Sequence, residues 1–263
     1  MRRIEPPGGA VYYQFELWTN ESALQHGIFT RLGGSSQAPF AALNVGSTVG
    51  DDPQRVRANL NQIYETLGAD GRRACTVWQV HSATCIAVEQ PHPTQDWLAQ
   101  ADGMVTNRRG VPLIMRFADC TPILLYDPRQ RAIGIAHAGW RGTVRGAAQS
   151  LLRTMRTVYG TQPADVQAAI GPSISAARYQ VGEEVVQAVA QAFGTTDGLI
   201  RRAEDGSAYF DLWEANRQAL LRAGVRQIEI SGICTATRTD EFYSHRAENG
   251  KTGRFAAVFM LRE

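Results

Sequence analysis

The sequence predicts an α/β fold, and three observations carry that reading. The runs "VPLIMRF" (111–117), "PILLYD" (122–127) and "RAIGIAH" (131–137) are short and nearly continuous in apolar residues, as in strands covered on both faces. The segment after "HAGWRG" sets Val144, Ala147, Ala148, Leu151, Leu152, Met155 and Val158 on one helical face, with Arg145, Gln149, Arg153 and Arg156 elsewhere. Helix-like and strand-like segments then alternate, with no internal repeat, low-complexity tract or composition break, so residues 1–263 read as one domain.

"VYYQFELW" (11–18) reads as a first strand from its aromatic and β-branched residues. Residues 26–53 are rich in Gly, Ser and Thr, lack periodicity, and read as an ordered loop anchored by Ile28, Phe29, Phe40, Leu43 and Val45. Asp52 and Pro53 cap and start a helix whose stripe is Val56, Leu60, Ile63 and Leu67, and Gly68 ends it. "ACTVWQVHSATCIAV" (74–88) reads as two strand segments around His81 and Ser82. A strand at 166–171 and a helix from about Glu183 to Phe193 follow. The helix 211–224 has Asp211 and Glu214 in capping-box positions and Gly224 as its stop. Strands at 226–230 and 254–261 close the chain.

Lys and Arg number 27 against 25 Asp and Glu, and the pair Arg201–Arg202 is too short for a basic stripe, so neither nucleic acid nor a membrane surface is an expected partner. No apolar h-region follows the two N-terminal arginines and no run approaches bilayer length, which predicts a cytoplasmic address. Cys75, Cys85, Cys120 and Cys234 form no C-x-x-C pair and read as free thiols, three of them small buried residues. Cys120 has different neighbours.

Of the five histidines, His92 lies between two prolines in an expected exposed loop, and His26 reads as a satisfied core histidine or a pocket residue. His81 and His137 each end an apolar run and Cys120 precedes one, which puts all three at strand ends, where open α/β sheets bind ligands. Two imidazoles and a thiolate suit a catalytic zinc with an open fourth position. Spacing alone does not separate that set from three unrelated buried residues. "AGWRGT" leads into a helix N-terminus, where orphan N–H groups favour an anion near Arg141 and Arg145. A plain strand-to-helix turn accounts for the same glycines.

The stretches "HGIFTRLGG", "LNVGSTVGDDP", "QVHS", "ADGMVT", "ADCTPILLYD", "HAGWRGT", "AIGPSI", "YQVGEEV", "FYSHR" and "TGRFAAVFML" occur in order from His26 to Leu261. Together they resemble the YfiH/YlmD family, also called laccase-domain or multicopper polyphenol oxidase proteins. The resemblance implies a layered α/β (α+β) arrangement of mixed β-sheets flanked by helices, distantly similar to bacterial deamidating toxins that use a Cys–His pair. It implies Zn2+ held by His81 of "QVHS", Cys120 of "ADC" and His137 of "HAGWRG", which would also be the catalytic group. The implied partners are purine nucleosides and phosphate. Adenosine, inosine, guanosine and methylthioadenosine would be phosphorolysed to base and ribose 1-phosphate, and adenosine also deaminated. Ser82 stands where the family usually has glycine, "GGSSQAPF" lacks a usual glycine, and His245 stands where tyrosine is common.

On that reading Asp119 and Asp102 are candidates for acid–base work or for orienting a ligand. Arg31, Arg141 and Arg246 are phosphate candidates, although Arg246 and Arg254 equally suit surface or ion-pair roles. Asn44 suits ribose or a metal-bound species, or a turn, and Trp140 suits base stacking or core packing. A multicopper laccase needs about ten histidines, mostly in H-x-H pairs. Five histidines and no H-x-H exclude that chemistry in one chain and leave a single Cu2+ oxidising phenols weakly as an alternative. Cysteine hydrolase chemistry with Cys120 as nucleophile and His137 as base is another alternative. A role in peptidoglycan-precursor editing is a third. The sequence predicts no oligomeric state.

Overall fold

Alternate residues of one central strand face two different cores, which explains why that stretch is apolar throughout. In the computed structural model, which describes residues 1–91 and 96–263, Thr121–Asp127 sends Leu124 and Tyr126 into a core with Phe117 and Phe259. Ile123 and Leu125 enter a second core with Ala148 and Leu151. The same alternation in Phe255–Leu261 separates Phe255, Ala257 and Phe259 from Ala256 and Val258. Two sheets therefore stack face to face with helices outside both.

The first sheet has the order β1-β2-β3-β16-β8 and the second the order β15-β11-β9-β10-β7-β5. In the first, β1 is Arg2–Ile4, β2 Tyr12–Gln14, β3 Leu24–Phe29, β8 Leu113–Phe117 and β16 Phe255–Leu261. In the second, β5 is Cys85–Ala87, β7 Gly103–Thr106, β9 Thr121–Asp127 and β10 Ala132–Ala138, with β11 at Gln167–Ile170 and β15 at Gln227–Ile230. The first sheet is antiparallel. The second is mixed, since β11/β15 and β5/β7 pair in parallel. Two small sheets complete the strands. One pairs β4 (Thr76–Trp78) with β6 (Trp97–Gln100), and the other orders β12 (Gln180–Val181), β14 (Ala208–Phe210) and β13 (Ile200–Arg202).

Helix α1 (Pro53–Leu67) covers the first sheet through Ile63 and Leu67. Asp52 accepts from Gln54 N and Gly68 ends the helix in the left-handed conformation, as the sequence predicts. Helix α3 (Ala147–Tyr159) covers the second sheet, and α5 (Leu212–Arg222) adds Leu220 to the same core. Helix α4 (Glu183–Phe193) packs with α5 in a further core. Among the described residues no helix is long and apolar enough to cross a membrane.

Several expectations change in detail. The first strand stops at Gln14, because Phe15 N donates to His26 Nε2 at 2.8 Å and the chain turns into a one-turn 3-10 helix, Glu16–Trp18. The helix after "HAGWRG" is interrupted at Gly146 (φ 81°), giving a five-residue α2 (Trp140–Val144) before α3, and Val158 is 43% exposed instead of facing the core. The stretch 26–53 begins inside β3, and the rest is held by Asn59, whose Nδ2 donates to Ser36 Oγ and to the carbonyls of Ala42 and Asn44. The loop expected around His92 lies outside the described residues.

His26 is a core residue, 2% exposed and stacked on Phe15, and burial pushes its pKa down to about 3. It stays neutral in the folded chain, while the unfolded chain protonates it near 6.5. Its contribution to stability is therefore complete above about pH 6.5 and is lost as pH falls from there toward 3. In urea titrations, the wild type should lose about 1.2 kcal/mol more stability between pH 7 and 5.5 than His26→Gln, which keeps an acceptor for Phe15 N. Equal losses would show that His26 protonates in place.

Candidate metal centre

Antiparallel register brings Cys120 and His137 together. In the β9/β10 ladder His137 lies opposite Pro122 and Ala138 opposite Thr121, so the residues just outside those pairs, Cys120 and Gly139, meet at one end of the sheet. A side chain at Gly139 would put a Cβ 2.7 Å from Cys120 Sγ, which makes glycine necessary there for the close approach.

His81 arrives through Asp102, which directly precedes β7 and lies beside the end of β10. The Asp102 carbonyl accepts from His137 N at 2.8 Å, and its Oδ1 lies 2.9 Å from His137 Nδ1. The same carboxylate accepts from the backbone N of Val80, His81 and Ser82 and from Ser82 Oγ. These bonds hold His81 at φ 58°, in the left-handed region that non-glycine residues seldom adopt. Burial opposes the Asp102 charge, but His137 and Ser82 outweigh it and keep the carboxyl below its ordinary range. Ser82 contributes its hydroxyl to this network.

One donor atom each from His81, Cys120 and His137 lies within 4.8 Å of the others. With His137 Nδ1 donating to the carboxylate, Nε2 is the nitrogen that would lose its proton to take a metal. Burial opposes a thiolate at Cys120, yet His137 and His81 outweigh it and bring the thiol down to about 6. Burial likewise opposes the His137 cation, and the Cys120 thiolate with Asp102 raises it to about 9. The two shifts act in the direction of a thiolate–imidazolium pair when no metal is bound, the arrangement of an activated cysteine nucleophile. With a metal the thiolate is occupied as a ligand.

The cluster lies on the wall of a cavity of about 440 Å3, within the range for small-molecule sites. Asp119, Trp140, Arg141 and Arg246 line the same cavity. Asp119 has φ 81°, and both its oxygens are engaged, Oδ1 by Thr235 Oγ at 2.7 Å and Oδ2 by Arg246 N at 2.7 Å. Arg141 lies over the Trp140 ring and Arg246 over Tyr179. Arg31 and Asn44 are not in the lining. Arg31 pairs with Glu248 at 2.9 Å and lies over Tyr243. Asn44 is buried, taking Arg254 N and Gly46 N on Oδ1 and donating to Asp51, so it ties the loop to the start of β16.

The cavity also contains residues that the sequence reading passed over. Arg116 is one, and its signal was a lone charge inside the apolar run "VPLIMRF". Trp78 and Trp97 are others, 44% and 40% exposed, with ring centroids 4.2 Å apart. No local pattern distinguishes an exposed strand tryptophan from a buried one.

A family model described as multi-copper polyphenol oxidoreductase laccase matches residues 25–262. A protein of Bacteroides thetaiotaomicron named purine nucleoside phosphorylase is 35% identical over 258 residues, covering 95% of this chain and 96% of its own. Purine nucleoside phosphorylase YlmD of Geobacillus stearothermophilus is 37% identical over 246 residues, 90% of each chain. A crystal structure of YlmD from Geobacillus stearothermophilus superposes with a TM-score of 0.92 at 34% identity, covering 99% of both chains. One of Bacillus licheniformis YfiH gives 0.90 at 33% identity, with 97% of both chains covered. The α+β layering of mixed sheets is the one shared with these structures. The His–Cys–His group is consistent with a metal cofactor, and its donor set is more typical of laccase-type copper than of zinc.

Asp102→Asn should weaken metal binding about 10- to 100-fold in competition with a chromogenic chelator, since orienting partners of metal ligands act on that scale. Unchanged affinity would mean that the carboxylate does not organise the centre.

Proposed function

The chain belongs to the multi-copper polyphenol oxidoreductase laccase family, and on that premise we propose that it is a metal-dependent phosphorylase of purine nucleosides that also deaminates adenosine. The observation that carries this reading is a single three-donor group on the wall of a small-molecule cavity that also bears arginines. The relatives' names supply the reaction.

His81, Cys120 and His137 would hold the metal, with zinc as the proposed ion. When bound, it supplies a Lewis acid that polarises an oxygen or activates water. Arg141 and Arg246 line the same cavity and would bind the substrates as a phosphate oxygen attacks C1′ of the ribose and the bond to the base breaks. Asp119, with both oxygens accepting, positions the Arg246 segment and leaves proton transfer to other groups. Asp102 sets the His137 tautomer and the His81 turn.

The donor set and the family description favour a second reading in which copper occupies the same three residues and phenols are oxidised. Among the described residues one such group is present, so this would be single-centre chemistry.

Incubating metal-quantified protein with inosine and phosphate should give hypoxanthine and ribose 1-phosphate by chromatography. Cys120→Ala should lose both the metal and at least about 100-fold in rate, the scale of an essential group in such a site. Oxygen uptake with catechol by copper-loaded protein, with inosine left intact, would replace this reading with the second.

A further inference from the structure

A poorly exposed arginine usually follows the rule of a carboxylate beside it, as Arg31, 15% exposed, does with Glu248. Arg116 and Arg254 do not follow it. Arg116 Nε donates to Val45 O at 2.8 Å and its Nη1 to Thr76 Oγ at 2.7 Å. Arg254 Nη1 donates to the carbonyls of Thr252 and Gly253. These are neutral acceptors, and among the described residues neither guanidinium has an ion pair. Burial lowers the pKa of both and outweighs the partial compensation that Cys120 and Asp119 give Arg254.

Sheet register sets the two side by side. Arg116 pairs with Ala256 on β16, which makes Arg254 its diagonal neighbour, and both point away from the face that carries Phe117 and Phe255. Diagonal cross-strand neighbours stand about 7–8 Å apart, a span that two guanidinium groups can close on one small anion. Both line the cavity that holds the metal ligands, together with Gly46, Ser47 and Thr48. Gly46 makes room for the arginine, since a Cβ there would lie 2.8 Å from Arg254 Cγ. Arg254 N and O are fixed by Asn44 Oδ1 and Val45 N, so the segment beside the pair is also tied to it.

We propose that Arg116 and Arg254, with the Gly46–Thr48 segment, form the seat of a small tetrahedral oxyanion, inorganic phosphate, in the metal-site cavity. Within the phosphorolytic reading, on which only this clause rests, that anion is the co-substrate. Arg141 and Arg246, backed by aromatic rings, then face the nucleoside instead.

The test titrates inorganic phosphate into the metal-loaded protein without nucleoside, following melting temperature and 31P line width, with a nucleoside 5′-monophosphate in parallel. Phosphate should bind saturably. Arg254→Met should weaken that binding tenfold or more, keep the wild-type metal content, and melt at or above the wild-type temperature in the absence of phosphate, since it removes a charge that burial opposes. A merely structural arginine would give the reverse, a lower melting temperature with phosphate affinity retained. Arg254→Lys, which keeps the charge but loses the planar fork, decides the case if the Met variant does not fold, and it should weaken phosphate binding severalfold. Wild-type affinity in that variant, no phosphate binding by the native chain, or binding of the nucleotide alone would each overturn the proposal. Inosine turnover is scored separately, so phosphate bound here without turnover removes the phosphorylase reading and leaves the anion seat standing.

Discussion

The centre depends on one buried carboxylate. Asp102 sits where β7 begins, next to the end of β10, and it makes contact with two of the three proposed ligands by different means. To His137 it offers an acceptor that fixes the ring and its tautomer. To His81 it offers acceptors for three successive backbone N–H groups and the Ser82 hydroxyl, which hold the turn in a conformation it would not otherwise keep. A carboxylate in this position would be costly if its charge were unmet. Here the donors around it keep it ionised, and that charge in turn raises the basicity of the imidazole it touches. The metal-binding tendency of the site and the local backbone geometry are thus one electrostatic arrangement.

That arrangement has a consequence for chemistry. The same neighbours that favour a thiolate at Cys120 would favour it either as a metal ligand or as a nucleophile, and one thiolate cannot be both at once. Gly139 sharpens the point, because its missing side chain lets a second strand end approach the sulfur at contact distance.

How much of this was legible in the sequence varied with the range of the signal. The two-sided burial of β9 and β10 was readable from "PILLY" and "AIGIAH", because a strand covered on both faces has no polar alternation to hide. Helix α1 was readable to its last residue through Asp52, Pro53 and Gly68. Strands β12 and β14 were missed because strands this short give no measurable period, and the break at Gly146 was missed because an isolated glycine in a helical pattern is usually tolerated. The three ligand residues were individually visible as strand-end His and Cys. Their convergence was not, since it rests on the β5/β7/β10/β9 pairing, a long-range property that spacing does not encode. Arg31 and Asn44 stand one layer behind the cavity, holding the loop and the start of β16, where residues in a shared motif need not touch the ligand.

Charge distribution gives the fold its remaining constraint. The net charge is close to balance at +2, yet the cavity concentrates Arg116, Arg141, Arg246 and Arg254 against a single lining carboxylate, Asp119, that is already committed to hydrogen bonds. An excess of this kind is unfavourable for the empty protein where burial opposes the cation, as it does at Arg116 and Arg254, while Arg141 and Arg246 stay exposed. It becomes favourable when an anion enters, since the electrostatic work of assembling the arginines has been done during folding and need not be repeated on binding. The strands that hold Arg116 and Arg254 are also the best-buried part of the first sheet, with Phe117, Phe255 and Phe259 at its centre. The hydrophobic core thus supplies the stability that lets the cavity remain cationic, and a cationic wall favours an anionic group beside Arg116 and Arg254.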